Sequence, residues 1–125
     1  MQKIAIIVLS DPKSGSDESL GRVFNALALA NDSREAGDEV ALVFSGAGTR
    51  WPAELSKLGH PARAPYDLVR DLVRGASCAC AQVFGATAGV EACGLPLLKS
   101  NPLPGTPGLA GIREFAAGGW TTFIF

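Results

Sequence analysis

The segment Ile4-Ala5-Ile6-Ile7-Val8-Leu9 constrains the fold more than any other stretch of this chain. It is apolar throughout and strand-sized. A strand with one wet face alternates apolar and polar residues. An unbroken run means that both faces are covered, which is the signature of a parallel sheet between helical layers. The next segments agree with that reading. Ser10 to Asp17 is a polar loop ending in helix-capping residues. Leu20, Val23, Phe24 and Leu27 then fall at i, i+3, i+4, i+7, one face of a helix. Ala26, Ala28 and Ala30 widen that face, and Gly37 is a natural stop.

The alternation continues. Glu39 to Phe44 reads as a second strand, with Ser45 to Arg50 as its exit loop. Trp51 to Leu58 is a short helix, ended by Gly59-His60-Pro61. Tyr66, Val69, Leu72 and Val73 define a third helix, with Asp67, Arg70, Asp71 and Arg74 on its wet side and Gly75 as its cap. The third strand runs from Ala76 to about Cys80, and a helical stretch follows through Glu91. Leu95 to Leu98 is a weak strand, since Pro96 restricts it to a start or an edge. Asn101 to Pro107 is a proline-rich loop, and Thr106-Pro107 offers an N-cap with the favoured proline behind it. Leu109, Ile112, Phe115 and Ala116 define the last helix, ended by Gly118-Gly119, and Trp120 to Phe125 is the last strand. Strands alternating with helices predict an α/β fold with right-handed crossovers. The expectation is a flavodoxin-like three-layer sandwich with a five-stranded parallel sheet, formed by residues 1–125 as a single domain.

Composition narrows the function classes. A chain of 125 residues can bury a core without disulfide staples. Hydrophobic residues make up 47% and charged residues 18%, which hints at buried subunit contacts. The net charge is −1 and no basic run exceeds two residues, which argues against nucleic acid as a partner. The longest apolar run is far short of the roughly 20 residues that span a bilayer, so no membrane partner is expected. Three cysteines are an odd number and two are nearly adjacent, which predicts a cytoplasmic protein with reduced thiols. No cofactor is expected: the first loop lacks the dense Ser/Thr phosphate cradle that FMN needs.

The exits of the first four strands share one edge of such a sheet, and ligands bind at that edge. It gathers Asp11, Ser14, Thr49, Arg50, Cys78, Cys80, Ser100 and Asn101. Cys78-Ala79-Cys80 is the leading candidate. In an extended strand both thiols face one side; if a helix begins at Ala79 they diverge. A helix beginning near Ala81 would set its positive end beside Cys80 and favour the thiolate. Two small buried cysteines under a helix layer is the plainer alternative. Cys93, before Gly94, reads as packing. Cys78, Cys80, Cys93 and His60 suit zinc chemically, but their spacing matches no standard zinc pattern, so no metal is expected. Ser45 to Arg50 resembles an anion cradle without the lysine or the length of a P-loop. With Ser10, the loop residues Gly46, Thr49 and Arg50 form a second candidate, a non-covalent site for a small anion. Trp51 reads as a pocket lip or a subunit contact.

The chain resembles the DsrE/DsrF-like (YchN-like) group of small sulfur-relay proteins over nearly its whole length. The residues that carry the resemblance are the first strand with its polar loop and Ala-rich helix, the turn Cys80-Ala81-Gln82-Val83-Phe84-Gly85, and Gly118-Gly119-Trp120 leading into an apolar strand. The resemblance implies a flavodoxin-like fold assembled as a homotrimer or homohexamer. It also implies a cysteine at the end of the third strand that carries a persulfide between sulfur-transfer partner proteins. In the group that cysteine precedes the glycine by about eight residues. Counting back from Gly85, that position is Ser77; Cys78 comes nearest and Cys80 is next. Arg50 is the cation best placed by sequence to activate either thiol.

Overall fold

The computed structural model describes all of the chain, Met1–Phe125. The strands are β1 (Lys3–Val8), β2 (Glu39–Phe44), β3 (Val73–Ser77), β4 (Leu97–Leu98) and β5 (Thr121–Ile124). The helices are α1 (Asp17–Glu35), α2 (Trp51–Leu55), α3 (Arg63–Val69), α4 (Cys78–Val83), α5 (Thr87–Ala92) and α6 (Arg113–Ala117). All strand pairs are parallel, in the order β4-β3-β2-β1-β5. The expected three-layer α/β sandwich with a five-stranded parallel sheet is what forms. The likeness to flavodoxin lies in the layers. Flavodoxin's own strand order is 2-1-3-4-5; here β1 to β4 step across the sheet in one direction and β5 returns to the far side of β1.

That order decides where the core sits. Right-handed crossovers that always step the same way lay their helices on one face, and the single reversal lays its connection on the other. Residues of α1 to α5 pack with Ile4, Ile6, Val8, Leu42 and Phe44 into a cluster of 18 buried residues. The opposite face holds a cluster of 6, in which Ala110 and Phe115 cover Ala5, Ile7, Ala41 and Val43. Ile6 and Ile7 are 0% and 1% exposed, so β1 is buried on both faces as its unbroken apolar run requires. The start of α1 is fixed by Ser16, whose side chain accepts the Ser19 N–H at 3.0 Å.

The helix expected over Trp51–Leu58 ends at Leu55, the stretch expected through Glu91 is broken into α4 and α5, and three further differences bear on the site. The third helix does not reach Gly75: α3 stops at Val69, a 3₁₀ turn takes Arg70–Leu72, and β3 begins at Val73. Pairing with β2 claims this segment, Val73 against Leu42 and Gly75 against Val43. Gly75 is therefore a strand residue and not a cap. Its φ is +150°, and a side chain there would collide with the Pro96 carbonyl, so β4 lies this close to β3 only because position 75 has no Cβ. Second, β3 ends at Ser77, which moves both cysteines of the pair into α4. Third, Thr106-Pro107 caps no helix. The Thr106 hydroxyl donates to the Leu103 carbonyl at 2.7 Å and accepts the Gly108 N–H at 3.1 Å, closing a turn. Leu109 then bridges back to Asn101, and the last helix forms only at Arg113–Ala117.

Candidate functional site

Cys78 is the first residue of α4, where the chain leaves β3, and Cys80 stands two positions on. Each helical residue turns about 100°, so the two thiols point about 200° apart and do not share a side. Both are partly exposed, and all three cysteines are unpaired. The Cys80 sulfur lies 3.7 Å from the hydroxyl of Ser45, the residue that follows β2. Ser45 in turn donates its N–H to the Val8 carbonyl at 3.0 Å, so the hydroxyl beside Cys80 is held by the end of β1. The thiols follow the carboxyl end of β3 at the start of α4, and Cys80 meets the residue that precedes Gly46.

Helix-dipole support at this point is small. α4 has six residues, and its first free amide is already occupied: the Ala79 N–H donates to the Gly108 carbonyl at 2.9 Å. A second clip lies beside it, where the Ala110 N–H donates to the buried Ser77 hydroxyl at 3.0 Å. Cys93 closes the C-terminal end of α5, with its sulfur 3.7 Å from the Ser56 hydroxyl.

Arg50 serves another purpose than the one expected of it. Its guanidinium holds both Asp11 carboxylate oxygens at 3.0 and 3.1 Å, donates through Nε to the Phe84 carbonyl at 3.0 Å, and lies 5.4 Å above the Phe84 ring. One side chain thus ties together the exits of β1, β2 and α4. No hydrogen bond joins it to either thiol. Partial burial works to raise the Asp11 carboxyl, but the Lys13 N–H and the Arg50 guanidinium outweigh it and hold the group below the usual carboxylate value. Other residues of the expected anion cradle are also engaged within the protein. Thr49 is buried and donates to the Gly46 carbonyl at 2.9 Å. Ser10 accepts the Trp51 indole N–H through its carbonyl at 2.8 Å and through its hydroxyl at 3.2 Å. A side chain on Gly48 would collide with the Val8 carbonyl. Thr49 and Arg50 are thus held in a packing hub at the strand exits, while Ser10 also lines a cleft beside the end of β1. Trp51, at 2% exposure, is almost wholly buried in this hub and also lines a small cleft beside His60.

Of the four surface clefts, two border the strand exits. One, of about 340 Å³, opens between the ends of β1 and β5, where the strand order reverses. Leu9, Ser10, Arg22, Ile124 and Phe125 line it. Only the strand order reveals it, and no local pattern encodes that. Its Arg22 is paired with Glu18 at 2.6 Å, and its Ser19 hydroxyl donates to the Asp11 carbonyl at 2.6 Å. The other, of about 180 Å³, is lined by Asp17, Trp51, Glu54 and His60. There the His60 Nδ1 accepts the Ala62 N–H at 3.1 Å and so braces its own loop. No three of the histidine, cysteine, aspartate and glutamate side chains converge into a metal-binding group. No helix is long and apolar enough to cross a membrane.

Comparison with known proteins adds one partial relative. No protein-family model matches the chain, and no solved structure matches it. Over 49 residues it is 31% identical to the uncharacterized protein MJ0733 of Methanocaldococcus jannaschii. The matched stretch spans 39% of this chain and 40% of that protein.

Proposed function

We propose that this chain is a cytoplasmic sulfur carrier whose working thiol is Cys80, taking the role that the DsrE/DsrF-like resemblance implies for a cysteine at the end of the third strand, although Cys78 lies nearer the group's spacing. One observation supports this choice over Cys78: the Cys80 sulfur stands 3.7 Å from the Ser45 hydroxyl at the strand-exit edge. A hydroxyl at that distance can donate to a sulfur anion and hold it in one orientation.

The chemistry is a displacement at sulfur. The Cys80 thiolate attacks the outer sulfur of a donor persulfide, R–S–SH. A bond forms from Sγ to that sulfur and the donor's S–S bond breaks. The donor leaves as a thiolate with the electron pair and takes up a proton from water. Cys80 then holds the persulfide until an acceptor thiolate attacks it in the same way. Sulfur changes hands without net oxidation, so no external oxidant enters. With Arg50 bound to Asp11, Ser45 is the polar side chain that meets the reacting sulfur.

The test is incubation with inorganic polysulfide, followed by intact-mass and peptide mass spectrometry. The expected result is one added sulfur on Cys80, released by a reducing agent, retained in Cys78→Ser and abolished in Cys80→Ser. Ser45→Ala should lower the stable fraction of persulfide. Absence of added sulfur on the wild type, or its appearance on Cys93 alone, overturns the reading.

A further inference from the structure

We propose that the free edge of β5 is a self-docking surface, occupied by β5 of a second copy of this chain in antiparallel pairing about a two-fold axis. The sheet has two edges, and only one is protected. β4 is two residues long, which by itself blunts an edge. β5 spans Thr121-Thr122-Phe123-Ile124 with no charge, no proline and no bulge, and Phe123 and Ile124 are 38% and 55% exposed. Such an edge attracts another strand unless something covers it.

The backbone shows which groups await a partner. Phe125 donates its N–H to the Ile7 carbonyl at 2.8 Å and accepts the Leu9 N–H at 2.7 Å, so Phe125 faces β1. Alternation along the strand turns Phe123 and Thr121 inward as well. Thr122 and Ile124 therefore direct both their N–H and C=O groups outward, beyond the last strand of the sheet. Those two positions match themselves. With the two-fold axis at Phe123, Thr122 of one copy stands opposite Ile124 of the other, and each such pair exchanges both of its hydrogen bonds. The two Phe123 rings then meet at the axis on the α1 face.

Charge supports a second copy over a foreign strand. On α1, Arg22 borders the cleft at the upper end of β5, where it also holds Glu18 one turn earlier at 2.6 Å, and Asp32 borders the groove lined by Phe123 and Phe125. A two-fold that reverses the strand reverses the helix with it. Arg22 of one copy then faces Asp32 of the other across the joint groove, basic against acidic on both sides of the axis. An interface of this isologous kind builds a dimer, or a hexamer that contains two-folds, and cannot by itself close a trimer. It is independent of the Cys80 reading and can fail separately.

Sedimentation equilibrium at micromolar concentration tests it. The wild type is expected at twice the chain mass or an even multiple. Thr122→Pro removes an outward N–H and leaves the ladder to β1 intact, so the fold should survive; its mass should halve while the circular dichroism spectrum is unchanged, and its melting should no longer depend on protein concentration. Asp32→Arg should weaken association, and Arg22→Asp combined with Asp32→Arg should restore it, which reads the contact without altering the strand. A monomeric wild type overturns the proposal and leaves the edge to a different strand. A folded Thr122→Pro variant that keeps the wild-type mass also overturns it.

Discussion

The two faces of the sheet are built to different depths, although they share the same strands. Five helices cover one face and close over 18 buried residues, including Phe44, Trp51, Leu55 and Tyr66. The other has one five-residue helix and the 99–112 connection over a cluster of 6. Its outer rim is held by cations on rings: Arg74 lies 4.9 Å above the Trp120 ring and 5.4 Å above that of Phe115, and Lys3 lies 5.9 Å above Trp120. The difference follows from connectivity. Four strands stepping in one direction load one face, and a single return must cover the other. The deep face confers rigidity at the strand exits, where Arg50 and Trp51 lock the loops around Cys80. The shallow face and the β5 edge keep exposed apolar surface.

The contrast is most directly tested inside β1. Ile6 and Ile7 are neighbours of one residue type, equally buried, and point to opposite faces. Truncation to alanine costs about 2–5 kcal/mol according to how far the site can collapse. Ile6→Ala should fall near the top of that range and Ile7→Ala near the bottom, because the short helix and loop over Ile7 can settle inward. Urea unfolding midpoints measure both; equal costs would remove the distinction between the faces.

The next effect is alkaline. Burial on the deep face pushes the Tyr66 hydroxyl up to about 12, with Cys93 adding to the shift. The folded state therefore favours the neutral phenol. This contribution is complete below the unfolded value of about 10 and is lost as pH rises from there toward 12, by roughly 3 kcal/mol in all. Tyr66→Phe should lose less stability across that window than wild type, and parallel pH curves would refute the assignment. At the strand exits the sign is opposite. Asp11 is held low, so its contribution is present at neutral pH and is lost as pH falls below about 4. Arg50→Ala should cost about 1–2 kcal/mol at neutral pH, in keeping with loss of charge-assisted hydrogen bonds. Asp71, held low by the hydrogen bond from Arg34 at 2.6 Å, titrates in the same window. The acid sensitivity that disappears in Asp11→Asn is thus the share due to Asp11, held by the Lys13 N–H and by Arg50. Smallest is Arg74→Ala, at about 0.5–1 kcal/mol for cations over rings on the shallow face. In a Trp51→Phe background it should shift Trp120 emission to the red; unchanged emission would show that Arg74 does not shield that ring.

Local pattern was enough for much of this protein, and the reason is that pattern reports burial directly. The unbroken run at Ile4 to Leu9 predicts a strand covered on both faces, and β1 is one. The 3.6-residue spacing from Leu20 to Leu27, with a serine ahead of it, predicts α1 and its cap. The turn of the chain from strand to helix, read at about Cys80, places the thiols near the strand-exit edge, although the strand ends earlier, at Ser77. Pattern failed where a partner strand competed with a helical spacing. Val73 continues the helical periodicity of Tyr66 and Val69, yet pairs with Leu42, and a glycine that reads as a cap proves to be the place where β4 passes close to β3. Residue type made Arg50 a candidate to activate a thiol; only the packing of three loops showed that Asp11 and Phe84 already hold it. The strand order, and with it the unequal faces, the cleft beside β1 and the bare edge of β5, came from the tertiary structure alone. Periodicity records which sides of an element are apolar, whereas strand order is set by contacts between residues more than a hundred positions apart, as Ile7 with Ile124, and those leave no mark on neighbouring positions.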